Sequence, residues 1–215
     1  KIEKNKKIKK DKESLNLAEG INDEHGISFS LIGIGNIHNI IGEYNTALDY
    51  YERSLNIKEK IGDKTGIGHN LNNIGFLYSN KGGYKMYSNK GGYKKALDYL
   101  VSSLAIFEEL GDKRGMGVSL LNIGNVHSEK GDYDKALDYH DKSLAIKEEN
   151  GDKDGMGASL NYIGKVHYCK GDYDKALDYY DRSLAIMEEI GHKVGIGHNL
   201  ESIGLVHYNK DDYEK

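Results

Sequence analysis

The chain has 215 residues, with 30 Lys and Arg against 34 Asp and Glu and a net charge of −4 when His is neutral. That balance gives no general electrostatic reason to bind nucleic acid, and no apolar run approaches the roughly 20 residues that span a bilayer, so neither a nucleic-acid nor a membrane partner is expected. The one cysteine, Cys169, can form neither an internal disulfide nor a multi-cysteine zinc site, which fits a reducing, cytoplasmic compartment.

The chain contains no proline, so nothing of that kind interrupts long helices. Self-similarity sets the frame. GDYDKALDY occurs at 131–139 and again at 171–179, and Ser103, Ser143 and Ser183 fall in equivalent places, giving a period of 40. In chain order, residues 1–27 read as the second helix of a truncated unit, because Ser14-Leu15-Asn16-Leu17 matches Ser54-Leu55-Asn56-Ile57. Its opening run, KIEKNKKIKKDKE, is basic. It reads as the solvated face of a helix, with an anchor for anionic lipid or nucleic acid as the alternative.

Full units follow at 28–67, 68–116, 117–156 and 157–196, and residues 197–215 supply the first helix of a further, truncated one. A first residue of Lys rather than Met also fits a slice of a longer array. The second unit is longer because YSNKGGYKM at 78–86 is copied as YSNKGGYKK at 87–95. Two Gly-Gly pairs make helix costly there, which predicts an enlarged surface loop over 81–92. A binding loop is the functional alternative.

The fourth unit shows why each unit is two helices. Leu160, Ile163, Gly164 and His167 share one helical face, and Gly171 ends that helix. Asp172 is expected to cap the second helix, in which Tyr173, Ala176, Leu177, Tyr180 and Leu184 share a face. Gly191 ends that helix in turn, and Asp63, Asp112 and Asp152 hold the capping position after it in other units. Gly164 on the apolar face lets a neighbouring helix approach, with Ala176 as its counterpart. No alternation of period 2 appears. The expected fold is all-α, a solenoid of antiparallel helix hairpins in which stacking buries what one hairpin cannot.

Gly164, Gly171, Tyr173, Ala176 and Tyr180, spaced by seven, two, three and four, resemble the tetratricopeptide repeat. Two departures stand out: a unit of 40 residues rather than about 34, and no proline after the second helix. The pattern is similar to the longer-helix subclass found in kinesin light chains, spindle-orientation adaptors and many prokaryotic signalling proteins. The resemblance implies a right-handed superhelix whose first helices line a concave groove for a peptide or a partner helix. Carried over by position, that groove contains Phe29, Ile32, Asn36 and Asn39, then His69, Asn72, Asn73, Phe76 and Asn80. Asn122, Asn125 and Ser128 come next, followed by Asn161, Lys165, Tyr168 and Cys169, and then His198, Glu201, Leu205 and Tyr208.

An Asn amide donates and accepts at once, which suits the backbone of an extended ligand. A clamp for a terminal carboxylate needs several Lys or Arg, and only Lys165 qualifies. The column His38, His127, His167 and His207 reads as packing rather than metal binding, since packed helices stand 8–10 Å apart. The Gly-x-Gly pairs at 66/68, 115/117, 155/157 and 195/197 follow no strand and read as structural. No set of reactive groups converges, so no cofactor and no catalysis are expected. The expected function is a non-catalytic protein–protein interaction scaffold. The alternatives are a regulatory or sensor segment of a larger signalling enzyme (a cyclase, kinase, nucleotide-driven switch or protease) and end-to-end self-association through the truncated repeats.

Overall fold

In a computed structural model that describes residues 2–83 and 90–213, the chain is helical apart from short turns. Among the described residues there are ten helices and no strand: α1 (Ile2–Gly20), α2 (Glu24–Ile40), α3 (Tyr44–Ile61), α4 (Lys64–Gly83), α5 (Lys90–Leu110), α6 (Lys113–Glu129), α7 (Tyr133–Glu149), α8 (Lys153–Lys170), α9 (Tyr173–Glu189) and α10 (Lys193–Tyr213). They divide into two units, Lys1–Leu110 and Gly111–Lys215. In the first, α2 pairs with α3 and α4 with α5, while α1 lies on α2. In the second, α6 pairs with α7 and α8 with α9, while α10 packs on α9. The architecture is an all-α helical repeat solenoid.

The first helix of each pair starts at residue 24, 64, 113 or 153, four residues before the unit boundary taken from the sequence, and α10 likewise starts at 193 rather than 197. At three of these starts an aspartate cap fixes the offset. Asp63, Asp112 and Asp152 each accept, through Oδ1, the N–H of Gly66, Gly115 and Gly155 at 2.9–3.0 Å, so the first turn already contains the Gly-x-Gly pair. Helix also covers 81–83 and 90–92, the flanks of the expected loop, because continuing a long helix outweighs about 1 kcal/mol per Gly. Residues 84–89 lie outside the described residues.

Each hairpin closes around a glycine. A methyl added at Gly35 would lie 2.6 Å from the Tyr51 ring, at Gly75 2.6 Å from Leu100, at Gly124 2.5 Å from His140, and at Gly164 2.8 Å from Tyr180. The neighbouring Ala47, Ala96, Ala136 and Ala176 are fully buried. A buried serine then ties the pair together. Ser54, Ser103, Ser143 and Ser183 donate through Oγ to the backbone carbonyls of Ser28, Gly68, Gly117 and Gly157 at 2.7–2.9 Å. The hairpin turn of the fourth pair is closed by Gly171, in the left-handed region at φ 80°, with the Asp172 N–H bonded to the His167 carbonyl at 2.9 Å.

Contrary to expectation, Asp172 does not cap α9 through its side chain. Its Oδ2 turns instead to His167 Nδ1, 3.3 Å away, and the His167 ring stacks on Tyr179. His127, Asp132 and Tyr139 repeat this arrangement, as do His38, Glu43 and Tyr50. A His, an acid five residues on and a Tyr seven beyond that thus brace three hairpin turns.

Variation at two buried positions changes the chemistry of single hairpins. Tyr51 Oη donates to Asn36 Oδ1 at 2.7 Å, but the third hairpin has His140 at the equivalent place and Asn125 opposite. Neither ring nitrogen of His140, nor Asn125 Oδ1, has a hydrogen-bond partner there. At the other position stand Lys58, Phe107, Lys147 and Met187. Lys58 Nζ donates to Asp63 Oδ2 at 2.9 Å; Lys147 Nζ finds only Ser159 Oγ at 3.0 Å, and burial pushes its amine down to about 8.

Two outcomes are expected. Ser183→Ala removes the donor to a buried carbonyl and lowers stability by about 1–2 kcal/mol in urea unfolding. Burial, helped by the charges of Lys147 and Lys165, holds His140 at about 4, against an ordinary 6.5. The unfolded chain therefore binds its proton more readily between those values. Stability is intact above pH 6.5 and falls as pH drops towards 4, by on the order of 3 kcal/mol from this residue. His140→Tyr restores the Tyr–Asn hydrogen bond, raises the melting temperature and flattens that acid slope; an unchanged slope would contradict the assignment.

Candidate functional site

The first helices α2, α4, α6 and α8 pack on their hairpin partners and α10 on α9, and each keeps a strip of residues towards solvent. In the first unit the open face carries Phe29, which is 79% exposed, with Asn36, His69 and Phe76 also exposed. The His69 ring is tilted against Phe107 at 4.9 Å. Asn39 and Asn73 are half-buried. Asn72, expected in the groove, is only 4% exposed. Asn70, two residues earlier and on another side of the helix, is buried too and donates to the Tyr51 carbonyl at 3.0 Å.

The Asn residues therefore do more than face solvent. Asn36 receives the Tyr51 hydroxyl, and the Oδ1 atoms of Asn39 and Asn125 are buried. Spacing alone does not reveal this, because the amide's direction is set by what the paired helix presents.

In the second unit Asn122, Asn125, Asn161 and Tyr168 are half-buried and Lys165 is exposed, 3.6 Å from Glu129. Asn161 Nδ2 donates to Asn199 Oδ1 at 2.8 Å. The Tyr168 hydroxyl accepts from Asn209 at 2.6 Å and its ring lies against Tyr173. Exposed Cys169 has its thiol pushed up, mainly by desolvation.

Between α8, α9 and α10 the packing opens into a cavity of about 220 Å³. Ala158, Tyr162, Met187 and Val194 form its apolar walls, and Asn161, Asn199, His198, His192 and Asp154 supply its polar groups. Asn161 and His198, both expected in the groove, thus line one cavity. Ala158, Tyr162, Met187 and Val194 were not singled out by the sequence. The legible signal was His192, which stands where Asp63, Asp112 and Asp152 cap the other first helices. No group of three or more His, Cys, Asp or Glu side chains able to hold a metal occurs among the described residues, and no helix there is long and apolar enough to cross a membrane.

No curated protein matches this chain. Solved structures do. BtubC (BKLC) from P. vanneervenii superposes with a TM-score of 0.76 at 15% identity, over 98% of this chain and 85% of that one. A Rap protein complexed with Competence and Sporulation Factor gives 0.77 at 17%, over 93% of this chain and 54% of that one, so the chain spans about half its length. A signal transduction ATPase with a tetratricopeptide repeat sensor, from Pyrococcus horikoshii, gives 0.64 at 22%, over 89% of this chain but 28% of that one. At these identities the likeness is one of fold. Family models described as tetratricopeptide repeat match residues 85–149 and 155–215, and a further one matches 30–61. With most of its length matched in this way, and with glycine-centred helix hairpins recurring along it, the chain belongs to the tetratricopeptide repeat family.

Proposed function

We propose that this chain is a non-catalytic protein–protein interaction scaffold that takes a peptide or partner helix along the open faces of its first helices. One observation carries the reading. Phe29, Phe76 and Tyr208, the large aromatic side chains standing exposed among the described residues, all lie on first helices. Exposed aromatic rings are the usual anchors of an interface, because they bury much area at little cost in rotamer freedom. The half-buried Asn73 and Asn122 lie on the same helices, where a ligand backbone running along those faces passes close to their amides.

A regulatory or sensor role within a larger signalling protein is the second reading. It is favoured by the similar structures of a Rap protein bound to Competence and Sporulation Factor and of an ATPase with a repeat sensor, each much longer than this chain. In that role the same faces receive the regulating ligand.

Selection of a random-peptide library on the 215-residue chain tests the proposal. Enriched peptides are expected to bind at least tenfold more weakly to a variant carrying Asn73→Ala, Phe76→Ala and Asn122→Ala. No enrichment, or equal binding to that variant, overturns it.

A further inference from the structure

The cavity between α8, α9 and α10 has an origin that can be traced residue by residue. At the equivalent place in the α4–α5 hairpin, the Phe107 ring fills the space against Gly68, where an added methyl would lie 2.8 Å from it. Beside α6 and α7, Lys147 reaches through to Ser159. In the α8–α9 hairpin the residue is Met187. Its Cε lies where a methyl on Gly157 would stand, 2.3 Å from that site, and its Sδ is 3.3 Å from His192 Nδ1. His192 in turn replaces the capping Asp, and its Nδ1 also lies 3.4 Å from Asp154. A flexible thioether beside the His192 ring leaves open what the Phe107 ring fills in the α4–α5 hairpin.

We propose that this cavity receives one apolar side chain, aliphatic or aromatic, of a peptide in which a Lys or Arg lies next to that residue. The proposal rests on the reading of the first-helix faces as a binding surface, and specifies what one part of that surface selects. About 220 Å³ is below the range of pockets for whole small molecules, yet exceeds an apolar cavity of roughly 150 Å³ that admits benzene. One side chain fits that space. Ala158, Tyr162 and Val194 give it apolar walls, and Met187 adapts to its shape.

Polar groups fix the direction and the charge. Asn161 spends its N–H on Asn199 and keeps Oδ1 for a ligand N–H. Asp154, with its side chain 67% exposed, puts a carboxylate at the mouth, and its ion-pair contact is the His192 ring. Lys147 also interacts with this carboxylate electrostatically, but no Lys or Arg lines the cavity, so the exposed side of Asp154 faces a basic residue on the ligand.

Peptides enriched on the wild-type chain are sequenced, and their dissociation constants are measured by fluorescence anisotropy against Ala158→Trp and Asp154→Asn, each first checked for an unchanged helical spectrum and melting temperature. The enriched set is expected to share an apolar residue adjoining Lys or Arg. Ala158→Trp, which fills the cavity, should weaken binding at least tenfold. Asp154→Asn, an exposed change that leaves the fold alone, should weaken it about threefold, with the loss disappearing at high salt.

Peptides without the apolar–basic pair, or with equal affinity for Asp154→Asn, overturn the cavity assignment. If those peptides still lose binding to the Asn73/Phe76/Asn122 variant, the scaffold reading stands without this pocket. Peptides indifferent to all three variants, or no peptides at all, overturn both.

Discussion

Everything in this fold depends on how closely two helices of a hairpin approach at a glycine. Gly35, Gly75, Gly124 and Gly164 each sit where any side chain would collide with Tyr51, Leu100, His140 or Tyr180. A glycine inside a helix costs about 1 kcal/mol relative to Ala. The return is a fully buried Ala on the partner helix and a ring or branched chain lodged against bare backbone, contacts that dispersion and apolar burial reward several times over. The same proximity brings Ser54, Ser103, Ser143 and Ser183 within reach of carbonyls on the first helix. Steric contact and hydrogen bond thus fix both the distance and the register of each pair.

With the frame fixed in this way, individual positions vary and each hairpin acquires its own character. Where Tyr51 satisfies Asn36, His140 leaves an amide oxygen and two ring nitrogens without partners, and burial holds the ring neutral. Where Lys58 has Asp63, Lys147 has only a hydroxyl within bonding distance. Where Phe107 fills its hairpin, Met187 leaves an opening. These substitutions cost stability locally, which a repeat protein tolerates because neighbouring hairpins contribute their own interfaces.

The surface left for binding is then a matter of what the frame does not consume. Within each unit the second helices spend their apolar faces on the first helices packed against them. The first helices keep an open side, where Phe29, Phe76 and Tyr208 stand exposed and where the cavity beside Asn161 and His198 opens. Three of the polar groups expected on that side turn out to be engaged internally: Asn36 with Tyr51, Asn161 with Asn199, and Asn72 in the interior. In the proposed role, such a surface selects its ligand through a few apolar anchors and one carboxylate rather than through a continuous row of amides.

The period, the two helices per unit, the glycine–alanine contact and the family were legible in the sequence, because they rest on local spacing: residues three, four and seven apart share a helical face whatever surrounds them. The capping role of Asp63, Asp112 and Asp152 was legible for the same reason. Tertiary structure alone decided the rest. It turned Asp172 from the backbone to His167, sent Asn72 inward and opened a cavity where His192 and Met187 meet. Each of these depends on the direction of a side chain relative to a neighbour 15 to 40 residues away or across a turn, and that direction is set by packing between helices, which no spacing along one helix encodes.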